Sequence, residues 1–444
     1  MPTKQTAPAK QHLNVGAITL GVATFAYFVA VIQRSSMGVA ALDARDRFDV
    51  NAATLSALGV AQLVVYAAMQ IPVGMLLDRF GSKVNLAFGA GVMFLGQLVV
   101  STSGEFAFAV AGRMLVGFGD AFTFIALVRV VNIWFKGTKA SLLQQLAANV
   151  GQLGQVLSAM SFHAVLEAVG WGPAFAYISF GSLLAAFLVL AFVSEKQQGV
   201  SAVPSSKLIH KVRQNLRDPA VWSGFWVHFT LQSSGSSFIL LWGFPFLVSA
   251  QGLPASQASS ILTAFVFIGF LVGPIFGSLG GRYPYRRSNL VITMAGAIIF
   301  AWTVLISYAG PSPYWLLLAC VLVIAAGGPA SMMAFDYIRS FVPSDRASSA
   351  SGFVNMGGFV AAFSLMFLVG FGLDAAVRLG VARSAFSIDA FRLGFIAEIL
   401  VTIGGLVCFV LSRNRLRTRL FNEQGIQIRP LRVVLIEKMS SIFR

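Results

Sequence analysis

Long apolar runs separated by short polar breaks follow one another along almost the whole chain. Each run is roughly 20 residues or longer, the length that an α-helix needs to cross a bilayer. The runs are continuous, so they favour helices, which satisfy their own backbone hydrogen bonds in lipid, over barrel strands. The predicted spans are 14–41, 53–77, 84–103, 105–134, 139–168, 171–193, 220–249, 256–280, 288–309, 313–341, 346–377 and 387–412. The pattern predicts an all-α polytopic membrane protein with 12 transmembrane helices.

Composition excludes a soluble protein. Apolar residues make up 57% of the 444 residues and charged residues only 11%, whereas soluble domains carry about 25% charged residues. The two cysteines, Cys320 and Cys408, fall inside predicted helices and show neither a disulfide framework nor metal-ligand spacing. We therefore expect no metal and no cofactor.

The placement of the positive charges predicts the orientation. A net charge of +16 is compatible with nucleic-acid binding, but every second interhelical loop holds most of the lysines and arginines. The positive-inside rule puts those loops and both termini in the cytoplasm. We expect a multi-pass protein of the cell (plasma or inner) membrane, with a short tail over 1–13, a basic tail over 413–444 and no nucleic-acid partner.

The chain divides into two similar halves. A polar linker over 194–219 separates a six-helix bundle at 14–193 from a second one at 220–412. GMLLDRFGSK at 74–83 returns in weakened form as GSLGGRYPYR at 277–286, and FKGTKASLLQQLAANVG at 135–151 resembles VPSDRASSASGFVNMGG at 342–358. Such matches in corresponding loops predict parallel repeats, related by an axis along the membrane normal.

Two motifs resemble the major facilitator superfamily. The loop after the second helix has the form G-x-L-x-D-R-x-G-x-K, and RMLVGFG at 113–119 is similar to the family's fourth-helix pattern. An arginine in the first helix, followed by YAAMQIPVG in the second, most resembles the organic-anion and anion–cation symporter branches. The resemblance implies the superfamily fold, with two pseudo-symmetric six-helix bundles. It also implies a central cavity lined by the first, fourth, seventh and tenth helices.

The loop residues Gly74, Asp78, Arg79, Gly81 and Lys83 each have a physical interpretation. The two glycines permit a tight turn and close helix approach, while Arg79 and Lys83 hold the loop in the cytoplasm. Asp78 lies at a helix end, where a carboxylate can complement the dipole of a neighbouring helix N-terminus.

The resemblance implies that the neighbour of Asp78 is the eleventh helix, beginning near Ser344 to Ala347. That contact would latch the two halves together on the cytoplasmic side. The alternative is a charged loop that only fixes topology. Gly281 replaces the acid in the second repeat, so that half is expected to lack an equal latch.

Two arginines lie inside predicted cavity helices. Arg34 and Arg113 both fall roughly 10–12 Å below the outer surface, at 1.5 Å per residue, and Tyr27 shares the helix face of Arg34. Because guanidinium groups fork onto carboxylates, the three residues are candidate contacts for an anionic substrate. For Arg113 the alternative is a structural arginine bonded to backbone carbonyls.

Two further groups are candidates for proton coupling. Asp120 shares the face of Arg113 near mid-membrane, and a buried carboxylate tends to take up a proton when its cation partner leaves. The alternative is a fixed ion pair with Arg34 or Arg113. His228 in the seventh helix can titrate near neutrality, although an intramembrane histidine is often only a hydrogen-bonding group.

Several other polar groups fall inside the helices. Gln152 belongs to an amide-rich face of the fifth helix, for which cavity lining and interhelical bonding are both open, and Gln232 begins a serine-rich run in the seventh. Both are candidate substrate contacts. Arg129 and Asp336 occupy equivalent positions near cytoplasmic helix ends and predict a gate or network there. Glu398, mid-membrane in the twelfth helix, is expected to face inward and to pair.

These features favour a secondary active transporter that works by alternating access. No nucleotide-binding motif appears, which disfavours ATP drive. We expect a monomer in proton-coupled symport of a small organic anion or amino-acid-like metabolite, with that substrate, a coupling proton or ion and membrane lipids as partners. The alternatives are a proton-driven multidrug or metabolite exporter and a polytopic receptor or enzyme without transport. No catalytic cluster is present, so an enzyme is not expected.

Overall fold

The computed structural model describes residues 7–50, 52–194 and 205–428. Parts of three predicted segments lie outside the described residues: 1–6 of the N-terminal tail, 195–204 of the linker and 429–444 of the basic tail. The described chain is helical almost throughout, as the apolar pattern predicts.

Six helices form the first half. They are α1 (Ala7–Val39), α2 (52–80), α3 (82–102), α4 (Phe106–Trp134), α5 (Gly137–Leu157, continued through a π-helical turn at Ser158–Phe162 and His163–Val169) and α6 (Trp171–Phe192). A short helix, Ala41–Phe48, joins α1 to α2.

Six more helices form the second half. They are α7 (Pro219–Ala250, with π-helical turns at Phe238–Trp242 and Phe246–Ala250), α8 (Ala255–Arg282), α9 (Arg287–Ser307), α10 (Tyr314–Phe341), α11 (Ala347–Arg378) and α12 (Ile388–Gln424). The linker contains one amphipathic basic helix, Ser205–Arg217.

The count of 12 agrees with the prediction, although only 10 continuous stretches in the described chain are apolar enough to cross a membrane. One stretch, Leu58–Thr102, contains both α2 and α3, separated where Gly81 adopts φ 76° and ψ 179°. Helix α5 is the remaining crossing, and its amide side chains lower its hydropathy.

Helix α12 is longer than predicted. The sequence places its end at residue 412, but the helix continues to Gln424, where Gly425 in the left-handed region ends it. Arg417 donates to Ser288 Oγ (3.2 Å), and Arg419 pairs with Asp218 Oδ1 (2.7 Å). These contacts with the second bundle hold the first part of the predicted tail as helix.

The two bundles meet along α2–α11 and α5–α8. Glycines allow the close approach, since Gly352 lies against the Gln70 backbone and Gly277 lies 3.0 Å, measured from an added Cβ, from the Ser141 carbonyl oxygen. The hydrogen bonds recorded between the bundles run from the predicted cytoplasmic ends up to mid-depth at Asn149. The described chain is therefore closed on the side that we call cytoplasmic, following the predicted topology.

Candidate functional site

An ion pair lies at mid-depth in the first bundle. Arg34 of α1 donates to both carboxylate oxygens of Asp120 in α4, over 2.7 Å and 3.0 Å. The Asp120 side chain is 1% exposed, whereas that of Arg34 is 21% exposed. Burial of two charges is tolerated because the bidentate geometry satisfies both. The pair is thus accessible from the arginine side.

Aromatic groups connect this pair to the second bundle. The Arg34 guanidinium lies 4.8 Å from the centroid of the Tyr66 ring, a cation–π distance. Tyr66 in turn packs on Phe359 of α11, with 4.8 Å between ring centroids, and its hydroxyl accepts from Asn355 Nδ2 (3.4 Å). Arg34 therefore lies beside the interface that would change if the bundles moved.

Tyr27 and Gln152 belong to the same cluster. Gln152 Nε2 of α5 donates to Tyr27 Oη (3.0 Å), and the tyrosine hydroxyl also interacts with Arg34. Tyr27 packs on Phe124 at 5.3 Å between centroids and fits against Gly151, where no side chain would have room. Four predicted residues, from α1, α4 and α5, thus come together.

Arg113 is placed differently from the predicted substrate contact. It is 1% exposed. Its guanidinium donates to the carbonyl oxygens of Gln33 (3.0 Å) and Arg34 (2.9 Å), and to Gln62 Oε1. This geometry fits the alternative, a structural arginine that fixes the outer half of α1 against α2 and α4. A substrate contact at Arg113 stays a prediction.

Gln232 and His228 lie in the second bundle. Gln232 accepts from Ser331 Oγ of α10 and donates to Ser236 Oγ, both over 3.0 Å. His228 is 3% exposed and packs its ring on Phe335, 5.3 Å between centroids. Gln232 is half-buried, so it remains a candidate contact, whereas His228 is enclosed by protein.

The cytoplasmic ends carry a contact between the bundles. Asp78 accepts from the backbone amides of Ser348 (3.1 Å) and Ser349 (3.0 Å), in the first turn of α11. Arg129 of α4 donates to Asp78 Oδ1 (3.4 Å) and to Ser348 Oγ (2.9 Å). The carboxylate meets unpaired amides and the positive end of a helix dipole, which stabilises this closed arrangement.

The other motif residues shape this contact. A Cβ at Gly74 would lie 2.6 Å from Ser349 Cα, so the two backbones meet only because residue 74 is glycine. Gly81 provides the positive φ that turns α2 into α3. Arg79 stacks on Phe80 at 4.9 Å, and Lys83 lies half-buried on the same loop.

A second cytoplasmic network joins α10 to α5. Ser141 Oγ, in the first turns of α5, donates to Asp336 Oδ1 (2.7 Å), which also pairs with Arg339. Arg339 reaches Asn132 Oδ1 (2.6 Å) and Gln144 Oε1. The expectation that the second half lacks an equal latch is wrong in this respect: the acid comes from Asp336 of α10 instead of the loop after α8.

The amide face of α5 mostly bonds between helices. Gln144 and Gln145 donate to the backbone carbonyls of Met332 and Pro329, and Asn149 donates to that of Gly269 (2.7 Å). Only Gln152 turns to the Arg34 cluster. Interhelical bonding, one of the two uses that the sequence left open, is therefore present on this helix, and cavity lining by Gln152 stays a prediction.

The sequence gives no direct signal for one central contact. Asn355 Nδ2 of α11 donates to Gln70 Oε1 of α2 over 2.6 Å, between the ion pair and the Asp78 contact. Gln70 lies within the YAAMQIPVG stretch, but nothing in its spacing identifies the partner. Among the described residues, no cluster of three or more histidine, cysteine or acidic side chains is arranged to hold a metal ion.

Curated relatives are transporters of small anions. The chain is 24% identical over 304 residues to a probable sulfoacetate transporter of Cupriavidus necator, covering 66% of this chain and 70% of that protein. It is 23% identical to the hexuronate transporter of Bacillus subtilis, covering 88% and 92%. It is 24% identical to a probable L-galactonate transporter of Escherichia coli, covering 87% and 86%.

Solved structures share the fold. FucP, a Major Facilitator Superfamily transporter in the outward conformation, superposes with a TM-score of 0.67 at 15% identity, covering 90% of this chain and 99% of that one. The proton:xylose symporter XylE superposes with a TM-score of 0.65 at 14% identity, covering 91% and 96%.

The family profile for the Major Facilitator Superfamily matches residues 23–366, which is most of the chain and spans both bundles. Its members are transporters, not enzymes. With its twelve helices in two bundles and its membrane-embedded character, the chain belongs to the Major Facilitator Superfamily.

Proposed function

We propose that this protein is a secondary active transporter that carries a small organic anion by alternating access, with Arg34 as the anion contact. The observation that carries the proposal is the Arg34–Asp120 pair, because one partner is fully enclosed and the other is partly open. An arginine held at mid-depth beside the bundle interface offers a fork that matches a carboxylate or sulfonate.

On substrate binding, the anionic group of the substrate would replace the Asp120 carboxylate as the partner of Arg34. An incoming carboxylate or sulfonate takes over the guanidinium donors that now reach Asp120. Tyr27 and Gln152 lie next to it and supply a hydroxyl and an amide, the groups that suit a hydroxylated acid. Gln232 is the candidate contact from the second bundle.

The same exchange would couple transport to protons. Once Arg34 turns to the substrate, Asp120 is a buried carboxylate without its cation, and such a group favours its protonated form. A proton then enters with the substrate, so the net charge brought to the site stays balanced. This gives symport of proton and anion, with Asp120 rather than His228 as the proton carrier.

The names of the relatives support a small hydrophilic anion as the substrate. Sulfoacetate, hexuronate and galactonate, which the relatives' names specify, are small hydrophilic anions. A single exposed arginine with neighbouring neutral donors suits one anionic group on such a molecule. We place the protein in the cell's plasma or inner membrane with both termini cytoplasmic, since the arginine- and lysine-rich loops all fall on that side.

Uptake into proteoliposomes tests the proposal. A panel of sugar acids, sulfonates, amino acids and lipophilic cations is offered with and without an inward proton gradient. We expect gradient-dependent uptake of one acid or sulfonate. Arg34→Gln should weaken its apparent affinity by about 10- to 100-fold, since charged hydrogen bonds contribute about 1.5–3 kcal/mol.

Arg34→Lys serves as the matched variant, because it keeps the charge and loses the fork. Its affinity should fall between those of the wild type and Arg34→Gln. Normal uptake by both variants would remove Arg34 from the site, and uptake of lipophilic cations alone would favour an exporter of drugs.

A further inference from the structure

A carboxyl group lies fully enclosed in the second bundle. Glu398 is 0% exposed and lies about three turns after the start of α12 at Ile388, on the side that faces α7. We propose that Glu398 is a proton-binding site. The side chain keeps its proton at neutral pH, and the neutral acid holds α12 against α7 through a hydrogen bond. This inference does not depend on the transport proposal or on Asp120.

The direct partners of Glu398 are neutral. Glu398 Oε2 and Ser234 Oγ of α7 share a hydrogen bond of 2.7 Å, and Trp302 Nε1 of α9 donates to the same hydroxyl (3.2 Å). Ser237 supplies a second nearby hydroxyl. The other carboxyl oxygen, Oε1, has no hydrogen-bond partner among the described residues. An ionised carboxylate would leave that oxygen charged and unsolvated, whereas a protonated acid does not.

The surroundings supply no cation. Helix α12 packs against α7, α9 and α11. Their ionisable groups in the described chain are His228 in α7, Arg287 in α9, and Asp374 and Arg378 in α11, of which none pairs with Glu398. His228 precedes Ser234 on α7 by roughly 9 Å, at 1.5 Å per residue. Arg287 begins α9 at its cytoplasmic end, and Asp374 and Arg378 belong to the outer end of α11.

The charged groups of α12 itself are also engaged elsewhere or distant. Asp389 pairs with Arg392 at the outer end (2.9 Å), and Arg413 lies beyond the last membrane turns. Phe395, one turn before Glu398, packs on Trp302 at 4.5 Å between centroids and closes the site with aromatic surface. In such an enclosed site, a lone negative charge is strongly disfavoured.

The first bundle shows the same junction in neutral form. There the corresponding helix pair, α1 and α6, is joined by a hydrogen bond from Gln33 Nε2 to Ser182 Oγ, with a further bond to the Ile178 carbonyl oxygen (3.1 Å). A carboxamide and a protonated carboxyl group have nearly the same shape, and both are uncharged. The protonated Glu398 thus joins α12 to Ser234 of α7, as the Gln33 amide joins α1 to Ser182 of α6.

The proton bound at Glu398 fixes the position of α7, one of the helices predicted to line the central cavity. Ser234 lies two residues after Gln232 and one turn before the π-helical turn at Phe238–Trp242. π-Helical turns are frequent at functional sites, where helices bend. A neutral Glu398 holds α7 just before this turn, where the outer part of the helix can bend. The proton therefore acts as a structural ligand of the second bundle.

Infrared difference spectroscopy of the purified, lipid-reconstituted protein tests this directly. We expect the wild type at neutral pH to show the carbonyl stretch of a protonated carboxylic acid, and Glu398→Gln to lose it. Asp120→Asn is the control, since the ion-paired Asp120 is ionised and its removal should leave the band unchanged. Persistence of the whole band in Glu398→Gln, or its loss in Asp120→Asn, would overturn the proposal.

A second variant and a second measurement cover the case in which Glu398→Gln folds poorly. Ser234→Ala keeps the acid and removes one hydrogen bond, so the band should shift and not vanish. Because folding brings a proton to Glu398 that the unfolded chain releases, mass action should lower the thermal stability of the wild type as the pH rises. Glu398→Gln should flatten that alkaline decline; an unshifted band in Ser234→Ala together with an unchanged decline would contradict the site.

Discussion

The chemistry of the site depends on the ion pair of Arg34 and Asp120, whose two side chains differ in burial. Asp120 is enclosed and accepts from both Arg34 and Thr123, whereas Arg34 also faces the tyrosine rings and the bundle interface. Removing one partner from such a pair costs more than the pair contributes, because the remaining charge is left buried and uncompensated. A ligand that offers a replacement anion avoids this cost, so the pair favours anions over neutral substrates.

Asp120→Asn should separate coupling from binding. The amide can still accept from Arg34 but cannot take up a proton, so proton-driven accumulation should fall to the level of simple equilibration. Substrate-for-substrate exchange, which needs no net proton movement, should persist. Parallel assays of gradient-driven uptake and counterflow measure the two.

Asp374→Asn is the matched control, because that carboxylate is exposed at the outer end of α11. It should leave both assays unchanged. Retained accumulation in Asp120→Asn would assign the proton to another group.

Residue types in the helices were predictable, but their partners were not. Depth along α1 and α4 indicates that Arg34, Arg113 and Asp120 lie near one another, since helical rise is constant. It does not reveal that Gln62 and two carbonyl groups of α1 satisfy Arg113. Those partners come from other turns and other helices, and the bonds use backbone atoms that sequence patterns do not mark.

At the scale of elements, apolar run length was enough to locate the helices, while their orientation in the membrane stays a prediction from the positive charges. The exceptions have physical causes. α5 carries amides because it bonds to the second bundle, and α12 runs on because Arg417 and Arg419 find acceptors on that bundle. Asp336 was predicted in a cytoplasmic gate or network, but its contact with Ser141 was not, because Asp336 lies on a helix and not in the repeated loop.

Gly74 sets how closely α2 can approach α11. A methyl group there would lie 2.6 Å from Ser349 Cα and 2.7 Å from the Ser348 carbonyl oxygen. Gly74→Ala should therefore destabilise the cytoplasm-closed arrangement by about 1–3 kcal/mol, as overpacking does. Accessibility of a single cysteine placed on the cytoplasmic end of α11 should rise in this variant.

Gly59→Ala, in the same helix, has open space around the added Cβ and provides the control. It should match the wild type in cysteine labelling. Equal labelling of both variants would show that this contact does not set the closed state.

At the scale of the whole molecule, the hydrogen bonds between the two bundles, within the part of the chain that the structure describes, run from the predicted cytoplasmic ends to mid-depth. The closing contacts are polar and buried: Asp78 on the α11 amides, Asp336 on Ser141, and Asn355 on Gln70. Such contacts are individually weak enough to break in a transport cycle, in contrast to the apolar packing within each bundle. Repetition of the halves was visible in the sequence, and the family resemblance implied the contact of Asp78 with α11. The contacts of Asp336 with Ser141 and of Asn355 with Gln70 were not predicted.

Distance measurement between paired spin labels tests the central claim, that the bundles rock about a site at Arg34. One pair replaces the exposed residues Lys139 and Arg282 at the cytoplasmic ends, and another replaces Asp43 and Gln257 on the outer side. We expect short cytoplasmic and long outer distances without substrate, and the opposite population to grow when substrate and protons are added. Asp78→Asn should raise that population by about 5- to 30-fold, since the lost contact contributes about 1–2 kcal/mol. Asp345→Asn, an exposed acid near the start of α11, should not. Distances that respond neither to substrate nor to Asp78→Asn would contradict the account.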